Sequence, residues 1–137
     1  MPKLDQCHEQ IVHALEKAGW TVNPSPYVLR VANRRLYIDM FAEMEQPEQP
    51  RRIIIVEVKC FSDTRDELNE LYTAIGQYLT YLGLLEQEGV TDNLYLAVPT
   101  HAYAGVFQQF ATPVTSKIQI KMIVVDLDAE EIEQWLG

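Results

Sequence analysis

Apolar residues in this chain gather in short runs, and the most informative run ends in charged residues. Ile53–Val56 is a series of four β-branched residues, which is typical of a strand buried on both faces. The triplet Glu57-Val58-Lys59 follows directly. Because side chains alternate across a strand, Glu57 and Lys59 point to the same face. Charged groups are rarely buried unless they are paired or bound to a metal, so this pattern predicts a functional site.

An earlier apolar segment supplies a partner for these charges. Leu36–Phe41 has the pattern of a short strand, and Asp39 is its one charge. If this strand pairs antiparallel with the strand that ends at Lys59, Asp39 lies beside Glu57. Two carboxylates suit Mg²⁺ or Mn²⁺, which bind one or two carboxylates together with waters and phosphate oxygens. The Lys59 ammonium would stabilise charge that develops on a phosphate, or orient the attacking water.

The other segments predict an α/β protein. A first helix would begin at an Asp5 cap and end near Ala18, and a second, up to Gln87, would begin at a capping box of Thr64 and Glu67. Apolar runs and turn residues predict strands at 27–31, 36–42, 52–60, 93–99 and 118–126, and a third helix at 102–110. This order describes a mixed central sheet with an antiparallel meander, flanking helices and a right-handed helix crossover. The last ten residues fit either a helix face or an edge strand.

Asp39 followed by Glu57-Val58-Lys59 resembles the PD-(D/E)XK nuclease signature, although Ile38 stands where the signature has proline. Gln77 and Tyr81 are four residues apart on one face of the second helix. They resemble the QxxxY element of RecB-like members of that superfamily, which lies beside the active site and contacts nucleic acid. The alternative for this pair is structural, with a tyrosine half-buried in a helix packed on the sheet and a glutamine beside it.

A resemblance to one family runs nearly end to end. It rests on these motifs: Gly19-Trp20, Arg34-Arg35-Leu36-Tyr37-Ile38-Asp39, Val56-Glu57-Val58-Lys59, Gly76-Gln77-Tyr78, Tyr95-Leu96-Ala97-Val98 and Gln134-Trp135. They are similar to XisH, a cyanobacterial family named for controlling excision of the fdxN element. The resemblance implies a restriction-endonuclease-like fold and a role in DNA rearrangement. It also implies a XisI-type protein and a site-specific recombinase as partners, and recombination itself would be done by another protein.

Net charge argues against strong DNA binding by the chain alone. The chain carries −9, so a phosphate backbone should repel it. The segment 30–59 is different, because its six basic and five acidic residues leave +1. Within it, Arg34 and Arg35 are our candidates for nucleic-acid contact. We therefore expect DNA to be bound with help from a partner or from a second copy of the chain, and we expect a homo-oligomer.

Size and composition set further expectations. The 137 residues, 47% of them hydrophobic, fit one domain spanning residues 1–137. No apolar run is long enough to span a bilayer, and the N-terminal residues lack a signal-peptide core, so we expect a cytoplasmic protein without a membrane role. Cys7 and Cys60 stand far apart in sequence and show no metal-binding spacing. We expect neither a disulfide nor a zinc site, but two small core residues.

Three interpretations of the charged residues follow. The first is a Mg²⁺-dependent endonuclease, in which Asp39 and Glu57 hold the metal, Lys59 assists the water, and Gln77 and Tyr81 shape the groove. The second is a non-catalytic accessory protein that keeps the nuclease fold to bind a XisI-type partner or DNA, and the acidic charge favours it. The third is a buried Glu57–Lys59 ion pair with Asp39 exposed. The cost of burying unpaired ions favours the first.

Overall fold

A computed structural model describes residues 6–63 and 65–137. The predicted caps at Asp5 and Thr64 lie outside these residues. The first elements are α1 (His8–Lys17), β1 (Thr21–Val22), β2 (Tyr27–Val31), β3 (Arg34–Ile38), β4 (Met40–Met44), β5 (Arg52–Val58) and α2 (Glu67–Gln87). They are followed by β6 (Asn93–Pro99), α3, β7 (Met122–Asp126) and β8 (Glu131–Leu136). We use α3 for the continuous helical residues 100–115, which are α-helical over Thr100–Ala102, π-helical over Tyr103–Ala111 and α-helical over Thr112–Thr115.

Six strands form one mixed sheet in the order β1-β4-β5-β6-β7-β8. Strands β5, β6 and β7 are parallel neighbours in its middle, and antiparallel pairs flank them on both sides. The two parallel connections run through α2 and α3, since parallel strands need a long crossover. The expected α/β class, with a mixed central sheet and flanking helices, is therefore confirmed. The end of the chain forms an edge strand, which was one of the two alternatives.

The strand predicted at 36–42 is divided at Asp39. Its first part, β3, pairs with β2 in a separate two-stranded sheet, whereas its second part, β4, joins the central sheet. Ala32 and Asn33 connect β2 to β3 with φ of 51° and 65°, the left-handed conformation that a two-residue type I′ hairpin turn requires. Asp39 consequently lies where the chain passes from one sheet to the other.

Helices cover the central sheet on both faces. On one face α1 packs Ile11 and Leu15 against a cluster that includes Ile54 and Val56 of β5. On the other face α2 and α3 pack against a cluster that includes Ile55. The β-branched run is thus buried on both sides, as its sequence predicts. No helix within the described ranges is both long and apolar enough to cross a membrane.

Candidate functional site

Asp39 and Glu57 are brought together by strand register. In the antiparallel pair of β4 and β5, Met40 is opposite Val56, so the next position along each strand sets Asp39 opposite Glu57. One Asp39 oxygen, Oδ2, accepts a hydrogen bond of 2.7 Å from the backbone N–H of Val58. This bond holds the carboxylate against the end of β5. The predicted proximity of the two acids is therefore present in the structure.

Glu57 is a buried acid on the sheet face that carries α2. Its side chain is 4% exposed, and it is the one charged residue that is buried in the described part of the chain. The pKa of the Glu57 carboxyl is raised to about 8, first by burial and then by the negative charge of Asp39 and a hydrogen bond between the two side chains. The Lys59 ammonium acts in the opposite direction. Near neutral pH the two acids therefore hold a proton that a cation would displace.

The oxygens of Glu57 are not all satisfied by the protein. Its Oε1 is buried and has no hydrogen-bond partner among residues 6–63 and 65–137. A buried acceptor without a partner costs free energy, and such groups occur where a water, ion or substrate completes the site. Residues 6–63 and 65–137 contain no group of three or more His, Cys, Asp or Glu side chains that could hold a metal. The donor set is thus two carboxylates, which fits Mg²⁺ or Mn²⁺ bound together with waters and substrate phosphate.

Lys59 follows the last residue of β5. Its backbone N–H donates to the carbonyl of Ala97 at 3.0 Å, which continues the pairing with β6 by one residue. Its side chain is partly buried and lines a cleft of about 140 Å³ at the start of α2, together with Glu70 and Thr73. Lys59 therefore faces the helix rather than bulk solvent, on the same side as Glu57. The third interpretation needs an exposed Asp39, but Asp39 is partly buried.

Tyr81 of α2 lies near the two acids, and Gln77 is one helical turn before it on the same side of the helix. Burial raises the pKa of the Tyr81 hydroxyl, and the negative charges of Glu57 and Asp39 raise it as well, so the ring lies within electrostatic reach of both acids. Tyr81 is only partly buried. The Gln77 Oε1 is buried without a hydrogen-bond partner in the described part of the chain. Both side chains are thus partly exposed, and Tyr81 also packs against the core cluster.

The tyrosine with a structural role is Tyr78. Its ring is 1% exposed, and its hydroxyl donates to the Leu94 carbonyl at 3.0 Å. The same hydroxyl accepts the backbone N–H of Lys121 at 3.1 Å. Because Leu94 belongs to β6 and Lys121 immediately precedes β7, this one hydroxyl bridges two parts of the sheet. A purely structural role therefore fits Tyr78 rather than Tyr81.

Arg34 and Arg35 lie on the hairpin, away from the two acids. Both are exposed on β3, and Arg35 is opposite Arg30 of β2. Arg35 precedes Asp39 by four residues, about 13 Å along an extended chain. These arginines therefore lie on the hairpin beyond the pair of acids, not beside Glu57.

Two other arginines of this region make contacts within the protein. Arg51 pairs with Glu43 at 3.1 Å, and the Arg52 guanidinium lies 5.2 Å from the centre of the Trp20 ring. All five arginines of the segment 30–59 are exposed, and three of them, Arg30, Arg34 and Arg35, lie on the hairpin.

The expectation of two unlinked cysteines is wrong. Cys7 and Cys60 form a disulfide with a Cα–Cα distance of 5.7 Å, and both are buried. The prediction that both cysteines lie in the core is correct, whereas the prediction that they are not bonded is wrong. The bond joins the residue before α1 to the residue after Lys59. A sequence separation of 53 gives no signal of this pairing, which depends on how α1 docks on the sheet.

The backbone after Lys59 is held from the other side by Phe61. Phe61 has φ of 52°, an unfavourable conformation for a bulky residue. Its ring is buried and meets Phe107 edge to face at 5.5 Å, and its carbonyl lies 3.1 Å from Nε2 of His101. Strained residues of this kind cluster at functional sites, where surrounding contacts hold them. Cys60 and Phe61 together fix the direction in which the chain leaves Lys59.

The fold and the site define a mixed α/β protein with two adjoining carboxyl groups and a lysine at the end of a central strand. Comparison with known proteins identifies the family. The family model described as XisH protein matches residues 1–133, and the chain belongs to the XisH family.

Two solved structures are similar over nearly the whole chain. An XisH family protein from Nostoc punctiforme PCC 73102 is 34% identical, with a TM-score of 0.84 over 97% of this chain and 100% of that one. An fdxN element excision controlling factor protein from Anabaena variabilis is 35% identical, with a TM-score of 0.81 over 95% of this chain and 97% of that one. No curated protein matches the chain.

Proposed function

We propose that this protein is an element-excision factor of the XisH type with a metal-dependent site for phosphodiester bonds in DNA, and that it belongs to the PD-(D/E)XK superfamily. The observation that carries the proposal is the state of Glu57. A carboxyl group that is buried, next to a second acid and missing a partner for one oxygen is costly for folding. A bound cation would remove that cost. The excision role of this protein is suggested by the name of the similar Anabaena variabilis protein.

Each residue has a separate task in this proposal. Asp39 and Glu57 would hold Mg²⁺ or Mn²⁺, which supplies charge stabilisation for a phosphoryl group and lowers the pKa of water. Lys59 neutralises negative charge on the phosphate as a point charge. Gln77 and Tyr81 contact the nucleic acid beside the scissile bond, and Arg34 and Arg35 contact its backbone further along.

The cation is tested apart from cleavage by thermal melts with and without Mn²⁺. The parent protein should melt at a higher temperature with Mn²⁺, because a ligand that binds only the folded state stabilises it. The shift should be larger above pH 8 than at pH 6, since Glu57, with a pKa of about 8, must lose its proton to bind a cation. Asp39→Ala should lose most of the shift. An equal shift in Asp39→Ala would place the ion elsewhere.

Cleavage is tested with Lys59→Ala, using Lys117→Ala as the matched control. Lys117 is exposed and lies between α3 and β7, outside the site. Mg²⁺-dependent cleavage of DNA by the protein or its assembly should be lost in Lys59→Ala and kept in Lys117→Ala. Cleavage that survives Lys59→Ala would rule out the catalytic role of this lysine.

The acidic charge favours a second candidate, a non-catalytic accessory protein. At −9 the chain gains little from releasing counterions at DNA. In that case the protein binds a XisI-type partner or a DNA end, and a site-specific recombinase performs the chemistry. No cleavage with metal and partner present, together with DNA binding that is unchanged in Lys59→Ala, would favour this candidate over the first.

A further inference from the structure

The Cys7–Cys60 disulfide adjoins Lys59 of the candidate site. Strand β5 ends at Val58, and Lys59 and Cys60 follow it directly. The disulfide ties Cys60 to the residue that precedes α1, and the backbone N–H of Cys7 donates a hydrogen bond of 2.9 Å to the Cys60 Sγ. Because Lys59 is already outside the strand, a covalent bond at the next residue limits how far Lys59 can move from Glu57.

The residue after the disulfide has a strained backbone. Phe61 has φ of 52°, which is unfavourable for a bulky residue. A residue keeps such a conformation only where several surrounding contacts impose it. The disulfide at Cys60 is one of these constraints, and the packing of the Phe61 ring on Phe107 is another. Without the disulfide, Phe61 can relax towards an ordinary conformation, and this movement would displace Lys59.

A cleft gives a small reagent access to Cys60. The cleft of about 140 Å³ at the start of α2 is lined by Cys60 as well as by Lys59. Cys60 is 6% exposed, so the cleft suits a small molecule better than a protein reductant. Cys7 is 3% exposed and lies at the start of α1. Cys60 is therefore the cysteine that a reagent in the cleft would attack.

We propose that the Cys7–Cys60 bond is a redox switch, which holds Lys59 in the site when the bond is formed and releases Lys59 when a small dithiol reduces it. The effect of the switch on cleavage rests on the proposed function, in which Lys59 neutralises charge on the phosphate. The movement of Lys59 does not rest on it. The oxidised protein is then the form that supports cleavage, and the reduced protein is the inactive form.

The dithiol supplies both the electrons and the protons of the reduction. Its first thiolate attacks the Cys60 Sγ, the bond between the two protein sulfurs breaks, and the Cys7 Sγ leaves with the electron pair and takes up a proton. The start of α1 favours negative charge on the leaving sulfur. The second thiol of the reagent then displaces the Cys60 Sγ, which also takes up a proton. The reagent ends as a disulfide and the protein as two thiols.

Amine labelling of Lys59 tests the switch without measuring cleavage. The full-length protein is reduced with dithiothreitol, separated from it in the absence of oxygen, and labelled with acetic anhydride. Mass spectrometry then gives the extent of labelling at each lysine. Labelling of Lys59 should rise severalfold on reduction and fall again on reoxidation, whereas the exposed Lys117, outside the site, should be labelled equally in both states. Unchanged labelling of Lys59 after complete reduction would overturn the proposal.

Two variants separate the switch from a general loss of stability. In Cys7→Ala/Cys60→Ala, Lys59 should be labelled as in the reduced parent, with or without dithiothreitol. Tyr78→Phe is the matched control, because it removes two hydrogen bonds elsewhere in the fold and keeps the disulfide. Its Lys59 should be labelled as in the oxidised parent. If Tyr78→Phe raised the labelling as much as reduction does, lower stability would explain the effect and the switch would be refuted. Circular dichroism checks that all proteins are folded during labelling.

The rate of reduction tests access through the cleft. If dithiothreitol attacks Cys60 in the folded protein, the rate should rise in proportion to the dithiothreitol concentration. A rate that does not depend on this concentration would mean that the protein must unfold first, and the bond would then not be a switch of the native state.

Cleavage links the switch to the proposed function. Mg²⁺-dependent cleavage of DNA should fall on reduction and recover when the same sample is reoxidised. Cleavage that is unchanged in the fully reduced protein would contradict the switch. If neither form cleaves but Lys59 labelling changes as expected, the switch stands and the proposed nuclease function is the part that fails.

Discussion

The Asp39 carboxylate accepts a hydrogen bond from the backbone N–H of Val58 and is thereby fixed beside Glu57. Asp39 lies between two short strands that belong to different sheets, so its own backbone has little regular support. The bond to Val58 replaces that support with a contact from β5. Since the two acids are held in this way before any ligand arrives, a ligand would meet a preorganised pair.

Stability should fall with pH because of Glu57. Its pKa is raised from 4.5 to about 8 in the folded protein, so folding favours the protonated form. The stabilisation is fully present below pH 4.5 and is lost as pH rises through about 8. The loss should be of the order of a few kcal/mol in the free energy of unfolding. Urea melts between pH 5 and pH 9, in the absence of divalent cations, measure it.

Glu57→Gln is the control for this prediction. The amide has nearly the same shape and no titration, so the pH-dependent loss should be much smaller in the variant. The His13 pKa is also raised by its hydrogen bond with Glu130, and its stabilising contribution is likewise lost as pH rises. Because Glu57→Gln keeps that pair, the difference between the two proteins isolates Glu57. If the free energy of unfolding depended on pH equally in both proteins, a raised pKa for a buried Glu57 would be contradicted.

Reducing the Cys7–Cys60 bond should destabilise the fold. A disulfide restricts the unfolded chain, and for a separation of 53 residues the expected contribution is about 4 kcal/mol. Thermal melts with and without dithiothreitol measure the effect in the parent protein. The double variant Cys7→Ala/Cys60→Ala should not respond to the reductant. Equal melting temperatures for the parent in both conditions would show that the bond does not form in solution.

Removing the hydroxyl of Tyr78 should affect stability, whereas removing that of Tyr81 should affect nucleic-acid binding. Tyr78→Phe removes a hydroxyl that both donates to Leu94 and accepts from Lys121, so it should lower the free energy of unfolding by about 1–3 kcal/mol. Tyr81→Phe removes a partly exposed hydroxyl and should leave stability nearly unchanged, while weakening nucleic-acid binding. Urea melts and DNA titrations on both variants test the contrast. A large decrease in the stability of Tyr81→Phe would return it to a structural role.

The placement of Glu57 and Lys59 was predictable because it follows from local geometry. Alternation along a strand fixes which residues share a face, and an apolar run of β-branched residues fixes that the strand is buried. Asp39 was also predictable as their neighbour, since a single charged residue in an apolar strand is expected to lie beside other polar groups. These arguments need only a few residues on either side of the site.

The passage of the chain between sheets at Asp39 was not predictable. Ile38 and Met40 are both apolar and both buried, so the segment resembles one continuous strand, and the break depends on which strands lie beside it. The Cys7–Cys60 bond was not predicted for a related reason, because it depends on where α1 docks on the sheet. The predicted strand at 118–126 begins only at Met122, since residues 117–119 are exposed beyond the sheet.

The isolated protein should bind DNA weakly and with strong dependence on salt. Arg51 and Arg52 are exposed too, but Arg51 pairs with Glu43 and Arg52 lies over the Trp20 ring, so the hairpin arginines are the ones to test. In Arg34→Ala/Arg35→Ala, the slope of log binding constant against log salt should fall by roughly 0.9 for each phosphate that is no longer neutralised. Lys117→Ala should leave the slope unchanged. Fluorescence titrations of labelled DNA at several salt concentrations measure these slopes.

Assembly should strengthen this binding, because two copies would present two hairpins to one DNA molecule and the second binding event becomes intramolecular. We therefore expect little nuclease activity from a monomer, and more from a homo-oligomer or from a complex with a XisI-type partner. Activity should be compared at chain concentrations at which sedimentation shows a monomer and at those at which it shows an assembly, with and without a XisI-type partner. Efficient Mg²⁺-dependent cleavage by the purified monomer, abolished by Lys59→Ala, would refute the need for assembly while supporting the catalytic role of Lys59.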